Sequence, residues 1–279
     1  MIRRAAYRYR TAIALGVILA VWAAGAAAAL AEDAMAFDGL LEPHLVVELG
    51  SEVPGVLDSV KVERGDMVKA GQVLATLRSG VEAANHSLAK ARAQFDAAIK
   101  VKRASLEFAE RNSQRTRELF DAKALAFQKW DEVETQRIMA SNELLAAIEQ
   151  KQLYELEYRQ AEEVLKRKTI LSPVSGVVME RYLAKGEYVE NKPILKLAQI
   201  DPLNVEVVVP VAMIGFARPG MTATVRPEAP VGGEYKATVV IVDRVVDAAS
   251  GTFGVRLKIP NPEHALPAGL KCKVLFHKP

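Results

Sequence analysis

The sequence predicts a modular chain of mixed α and β structure. A β domain is written as two half-motifs, a long antiparallel α-helical hairpin is inserted between them, and a small antiparallel β-barrel follows. Three observations carry this. The stretch Pro54 to Leu77 (PGVLDSVKVERGDMVKAGQVLATL) recurs as Ser175 to Ala198 (SGVVMERYLAKGEYVENKPILKLA). From Val81 to Thr169 there is neither proline nor glycine. Beyond Asp201-Pro202, β-rich runs alternate with Pro/Gly turns.

The repeat is gapless. Gly55 matches Gly176, Gly65 matches Gly186, Val68 matches Val189 and Leu74 matches Leu195 at one offset (176 − 55 = 186 − 65 = 189 − 68 = 195 − 74 = 121). Asp66 and Glu187 follow the second glycine of each copy, and the apolar pairs Val56/Val177, Val62/Leu183 and Val73/Ile194 stay in step. The apolar residues are mostly β-branched, which suits short strands, and Gly55, Gly65, Gly176 and Gly186 read as structural turn positions. One copy alone is too small to bury its apolar face, so the copies are expected to pack on each other.

The insertion is rich in Ala, Glu, Lys, Arg, Gln and Leu, strong helix formers. In its second arm Trp130, Leu144, Tyr158 and Leu165 share one seven-residue register, which Arg137 and Lys151 interrupt. Val133, Ala140, Ala147, Tyr154 and Ala161 share the complementary register. In the first arm the corresponding stripe reads Leu88, Ala91, Phe95, Ala98 and Ala109. Such a seam predicts a coiled coil. The half-motifs must meet, so the chain must reverse near the midpoint, between Asp121 and Phe127. Two arms of about 40 residues make a hairpin about 60 Å long.

Ile170-Leu171-Ser172-Pro173 ends the helical segment, because proline disfavours a helical residue before it. After the second half-motif, strands are expected at Leu203–Val209, Thr222–Val225, Tyr235–Val242, Gly254–Ile259 and Lys271–Phe276, with one short helix at Val211–Ala217. At the other end, Arg3, Arg4, Arg8 and Arg10 precede an apolar run from Thr11 to Ala31 that ends Ala29-Leu30-Ala31. This reads as a cleavable signal peptide or as a membrane anchor, and both export the remainder. Leu45-Val46-Val47 and Val53 suggest a strand entering the first half-motif.

Without the four leader arginines the formal charge falls from +3 to −1 (3 − 4), so no basic field favours nucleic acid. Cys272 is the only cysteine, which excludes an intrachain disulfide and a multi-cysteine metal site. His44, His86, His264 and His277 fall on different elements without metal-ligand spacing. There is no G-x-S-x-G elbow and no phosphate-binding glycine loop, so no catalytic residue, cofactor or enzyme activity is assigned.

Each half-motif, G-φ-φ…V…GD-x-V-x-x-G-x-x-L, resembles half of a biotinyl/lipoyl domain. Carrier domains hold a modified lysine on the turn between the halves. Here that turn opens after Leu77-Arg78-Ser79 into the insertion, with no Asp-Lys-Ala or Met-Lys-Met sequence. A split lipoyl-like domain (a barrel-sandwich hybrid) carrying a helical hairpin resembles the membrane fusion (periplasmic adaptor, HlyD-type) family of tripartite efflux pumps, in its RND-type branch. The resemblance covers nearly everything after residue 45 or so. It implies that the entry segment pairs with C-terminal strands. It also implies partners: an RND-type inner-membrane transporter, an outer-membrane TolC-type channel and further copies in a homo-oligomeric ring. At the hairpin tip the family carries Arg, three residues, Leu, six residues and Ser. This chain has Arg115, Leu119 and Ala126, with Asp131 at the acidic position beyond. The expected division is residues 1–31 leader, 32–79 entry strand and first half-motif, 80–169 hairpin, 170–200 second half-motif and 201–279 barrel. Many family members continue into a membrane-proximal domain, which is expected here to be absent or much reduced. An adaptor of an ATP-driven export system and a lipoyl/biotinyl carrier are the alternative readings.

Overall fold

The computed structural model describes residues 36–277; the leader reading over residues 1–31 lies outside them. The chain forms two units, one of residues 36–44 and 200–277 and one of residues 45–199. Strands β1 (Ala36–Leu49) and β8 (Leu195–Pro210) contribute to both.

In the unit of residues 45–199 the repeat is a structural one. β2 (Gly55–Val60), β3 (Met67–Val68) and β4 (Val73–Leu77) recur as β6 (Gly176–Arg181), β7 (Tyr188–Val189) and the start of β8. Each half lends its short strand to the other: β7 pairs with β2 (Gly55↔Val189) and β3 with β6 (Val68↔Gly176). Turn bonds are exchanged likewise. The Gly65 N–H donates to the Val178 carbonyl (2.9 Å) and the Gly186 N–H to the Leu57 carbonyl (2.8 Å). β5 (Thr169–Leu171), the strand leaving the hairpin, completes a sheet in the order β5-β4-β2-β7. Leu57, Val62, Val68, Leu74 and Leu77 pack with Val178, Val189, Ile194, Leu195 and Leu197 in one core. Neither half closes a core without the other.

Gly65 and Gly186 sit at φ +94° and +93°, as their turn reading predicts. The carboxylates of Asp66 and Glu187 each accept a backbone N–H three residues upstream, from Glu63 and Ala184 (2.8 Å each). A side chain added at either glycine meets nothing within 4 Å, so only backbone strain acts. Gly65→Val and Gly186→Val should each lower stability by a similar amount, about 1 kcal/mol or more, read as matched falls in melting temperature. Gly55 and Gly176 are not turns, contrary to the sequence reading. They open β2 and β6 and lack positive φ; backbone of β8 packed over Gly176 selects glycine there, while Gly55 lies against the Leu77 side chain.

The insertion holds three helices: α1 (Gly80–Ala93), α2 (Ala97–Asp121) and α3 (Phe127–Lys166). The reversal occupies residues 122–126, and the first arm is broken at Gln94-Phe95-Asp96. Both registers expected for the second arm face the first arm, with Val133 and Ala140 buried and the remainder half-buried. The first-arm stripe is corrected. Only Ala109 is half-buried in the seam; Leu88, Ala91, Phe95 and Ala98 are exposed along its edge, where Ala91, Phe95 and Ala98 line an open groove with Ala147 and Tyr154 of α3. The residues that face α3 include Ala93, Ile99, Leu106, Ser113, Thr116 and Phe120. Several of these are small or polar, and hydrophobic periodicity cannot register them.

The two charges that interrupt the second-arm register are each matched. Lys151 pairs with Asp96 at the helix break, and its hydrogen bond holds the Asp96 carboxyl below the usual range. Arg137 grips Glu134 through Nη2 (2.7 Å) and Nε (3.1 Å), and Ser113 Oγ donates to Glu134 across the seam (2.7 Å). Arg137 and then Ser113 bring the Glu134 carboxyl from its ordinary 4.5 down to about 2. A depressed folded-state pKa stabilises above the unfolded value and loses that contribution as pH falls. Acid titration of hairpin helicity should therefore show a loss as pH falls from 4.5 toward about 2 that Glu134→Gln reduces, the remainder belonging to pairs such as Asp96–Lys151.

The other unit is a closed six-stranded barrel in the order β1-β12-β9-β10-β11-β8, with β8 pairing back to β1. Its further strands are β9 (Thr222–Pro227), β10 (Tyr235–Val242), β11 (Thr252–Ile259) and β12 (Lys271–Phe276). Alternation fills it: Leu203, Val205, Val207 and Val209 point inward on β8, while Glu206 pairs with Arg256 outside. The entry segment pairs with the last strand, Ala36↔Leu275 through Leu40↔Lys271, as the resemblance implies. The helix expected at Val211–Ala217 is a single 3-10 turn, Val211–Met213. Asn261, buried, ties the β11–β12 connection together. Its Nδ2 donates to the carbonyls of Ile200 (3.0 Å) and Leu266 (2.9 Å), and its Oδ1 accepts the Leu266 N–H (3.1 Å).

Candidate functional site: the hairpin tip

The tip is built by the end of α2, the reversal and the first turn of α3. α2 stops because Lys123 takes φ +56°; the Lys123 N–H then bonds the Phe120 carbonyl and the Ala124 N–H the Leu119 carbonyl (2.9 Å each). These bonds satisfy carbonyls that a helix end leaves free. Phe120, Phe127 and Trp130 lock the reversal from the side-chain level. Phe120 stacks on Trp130 at 5.7 Å, and Phe127 lies 5.6 Å from Trp130 and 6.1 Å from Phe120.

Arg115 and Leu119 stand one turn apart on α2, as their spacing requires, and neither belongs to the seam. The seam positions on those turns are Ser113, Thr116 and Phe120, leaving Leu119 52% exposed. Arg115 is exposed, and its Nε donates to the Arg111 carbonyl (3.2 Å), which steadies the guanidinium along the helix. Ala126 is the exposed N-cap residue of α3 and accepts through its carbonyl from Lys129 N–H (3.1 Å). It supplies no side-chain cap, a position where Ser would add a hydroxyl acceptor. The reversal therefore sets Arg115 and Leu119 on one helix end and Ala126 on the start of the next.

The sequence reading missed Phe127, which is 60% exposed beside this group, and the aromatic cluster that fixes the turn. The signal was present: three aromatic residues, Phe120, Phe127 and Trp130, bracket the expected reversal. Asp131 is exposed on the first turns of α3. Among the described residues no group of three or more His, Cys, Asp or Glu side chains is placed to hold a metal ion. Cys272 is buried in the barrel, and burial pushes its thiol up to about 11, far from a reactive thiolate.

Residues 45–199 match the family of CzcB-like barrel-sandwich hybrid domains, and residues 203–279 that of CusB-like β-barrel domains. Over 230 residues the chain is 26% identical to the cobalt-zinc-cadmium resistance protein CzcB of Cupriavidus metallidurans, covering 81% of this chain and 41% of CzcB. Over 251 residues it is 22% identical to the multidrug/solvent efflux pump periplasmic linker protein MepA of Pseudomonas putida, covering 83% of this chain and 58% of MepA. The chain thus spans about half the length of these curated relatives. Among solved structures, MacA from Actinobacillus actinomycetemcomitans shares the fold, with a TM-score of 0.71 at 22% identity, over 87% of this chain and 78% of MacA. With more than half of the chain matched by the first of these families, and with a split β domain, hairpin and barrel in the same order, the chain belongs to the membrane fusion protein family of periplasmic efflux-pump adaptors, in its RND-type branch.

Proposed function

We propose that this chain is the periplasmic adaptor of a tripartite efflux system, held by an RND-type inner-membrane transporter and reaching an outer-membrane TolC-type channel with its hairpin tip. Its role is mechanical: it couples two membrane proteins and performs no reaction. The observation that carries the reading is the pairing of Arg115 with a half-exposed Leu119 at the tip, outside the hairpin's own seam. A partner helix can accept the guanidinium through a charge-assisted bond and cover the leucine beside it. Covering the exposed half of Leu119 contributes roughly 1 kcal/mol, whereas a surface ion pair alone contributes less. Ala126 offers no hydroxyl, so the contact is weaker than a Ser at that position would make it. Self-association in a ring is supported by the apolar residues left outside on the first arm, Val81, Leu88, Phe95, Val101 and Phe108, all more than half exposed. Val81 and Leu88 are seven residues apart on α1 and so share one face.

Co-purification with the outer-membrane channel tests the tip. Arg115→Glu and Leu119→Asp should each abolish association, the leucine change at least as completely, with the melting temperature unchanged. Association retained in the double variant would overturn the assignment. A large fall in melting temperature alongside lost association would instead place Leu119 among the residues that hold the hairpin together.

A further inference from the structure

One end of the barrel gathers apolar side chains outside its core. β8 ends there at Pro210, opposite Thr252 at the start of β11. β10 ends there, with Val242 opposite Val255, and β1 begins there, with Ala36 opposite Leu275 near the end of β12. Phe37, Phe216 and Phe276 close the core at this end, with ring centroids 5.5 and 5.9 Å apart. Phe216 turns inward, and Gly215, at φ +86°, separates it from Ile214, which is 63% exposed. The Val211 N–H donates to the Gly251 carbonyl (2.9 Å), joining this segment to the β10–β11 loop, whose Val245 is 82% exposed. Val208, 60% exposed, lies opposite Gly254, over which the Asp243 carboxylate rests, so it stands apart from these residues. Single exposed aliphatics are ordinary, but Val211, Ile214 and Val245 stand on two segments that a hydrogen bond joins at this end of the barrel.

The local charge is balanced. Arg218 and Arg244 are exposed, as are Asp243 and Asp247, and Asp247 is engaged by the Ala249 N–H (2.9 Å). The patch therefore suits apolar insertion more than electrostatic docking. The occupant is indicated by the chain itself. Ala36 enters the barrel at this end, five residues after the apolar run that closes at Ala31 (36 − 31 = 5). Read as an anchor, that run holds this end within about 18 Å of a bilayer, the reach of so short a linker. We propose that this end of the barrel seats on a phospholipid bilayer, with Val211, Ile214 and Val245 entering the headgroup region. The side chains are few, so the seating is weak by itself and acts through the high effective concentration that tethering supplies. The inference is independent of the tip assignment.

The test uses the full chain with phosphatidylethanolamine/phosphatidylglycerol vesicles. Cys272 is buried and its thiol suppressed, so cysteines introduced as Ile214→Cys, Val245→Cys and, at the other end of the barrel, Glu263→Cys can be labelled singly with a polarity-sensitive dye. Quenching by spin-labelled lipid is expected at 214 and 245, several-fold above that at 263. Without labels, hydrogen exchange over residues 211–218 and 244–250 should slow on adding vesicles, and the Ile214→Asp, Val245→Asp double variant should lose the slowing. Equal quenching at all three sites would overturn the proposal. So would protection that appears only when an inner-membrane transporter is added, which would assign the patch to a protein partner.

Discussion

Gly176→Ala is expected to prevent the unit of residues 45–199 from folding. A Cβ at Gly176 would stand 2.0 Å from the Ala198 carbonyl oxygen, 2.8 Å from its carbon and 3.0 Å from Gln199 Cα. All three are backbone atoms of β8, which pairs with β6 at Val177↔Ala198, so no side-chain rotation relieves the clash. The strands would have to part where Val178, Leu195 and Leu197 are buried, and a cost above about 4 kcal/mol is the expected scale for such a lesion. Its repeat partner behaves differently. At Gly55 the nearest atom is Leu77 Cδ1, at 3.3 Å, the end of a flexible side chain. Gly55→Ala should cost about 1 kcal/mol or less, within the reach of a small local adjustment. Circular dichroism melts of the two variants decide the matter, and equal melting temperatures would show that β6 and β8 approach less closely than described.

Asn261→Leu should remove about 3 kcal/mol or more from the barrel. The side chain makes three hydrogen bonds to the backbone of Ile200 and Leu266, and Leu266 is itself almost fully buried. Leucine has a similar volume but leaves two carbonyls and one N–H without a partner, and each unsatisfied buried group costs about 1–3 kcal/mol. Chemical denaturation of Asn261→Leu beside Asn261→Asp would separate the bonds from the packing. Aspartate keeps the acceptor for Leu266 N–H but turns a carboxylate oxygen toward two carbonyls in a buried site, so at neutral pH a midpoint at least as low as that of Asn261→Leu is expected. An unchanged midpoint in both variants would mean that the connection is held by its apolar contacts alone.

The tip shows how far pattern reading carries. The reversal could be placed because two half-motifs that must pack bring the chain back to its start, a constraint of connectivity that needs no turn residue. Arg115 and Leu119 could be placed on one face because helical spacing is fixed. What covers that face could not be read, since a half-exposed leucine and a seam leucine have the same spacing. The first arm makes the point more sharply. Its larger apolar residues, Leu88 and Phe95, suggested the seam, yet they are exposed on open grooves at its edge while Ala93, Ser113 and Thr116 are buried against α3. Small residues let two helices approach closely, and Ser113 earns its place through Glu134.

The sequence by itself determined the architecture: two half-motifs at one offset, an interruption made of helix formers, and a run of short strands after them. Periodicity, proline and glycine placement and the need to bury apolar faces are properties of the chain, and they leave little choice of fold. Only the tertiary structure decided which side of the first arm meets the second, which glycines serve φ and which serve contact, and which barrel end exposes its aliphatics. Gly65 and Gly176 look alike in a repeat, but one is required by its own backbone angle and the other by a carbonyl more than twenty residues away in sequence. Distances between strands belong to the packed state, where close contact makes a difference of an ångström decisive.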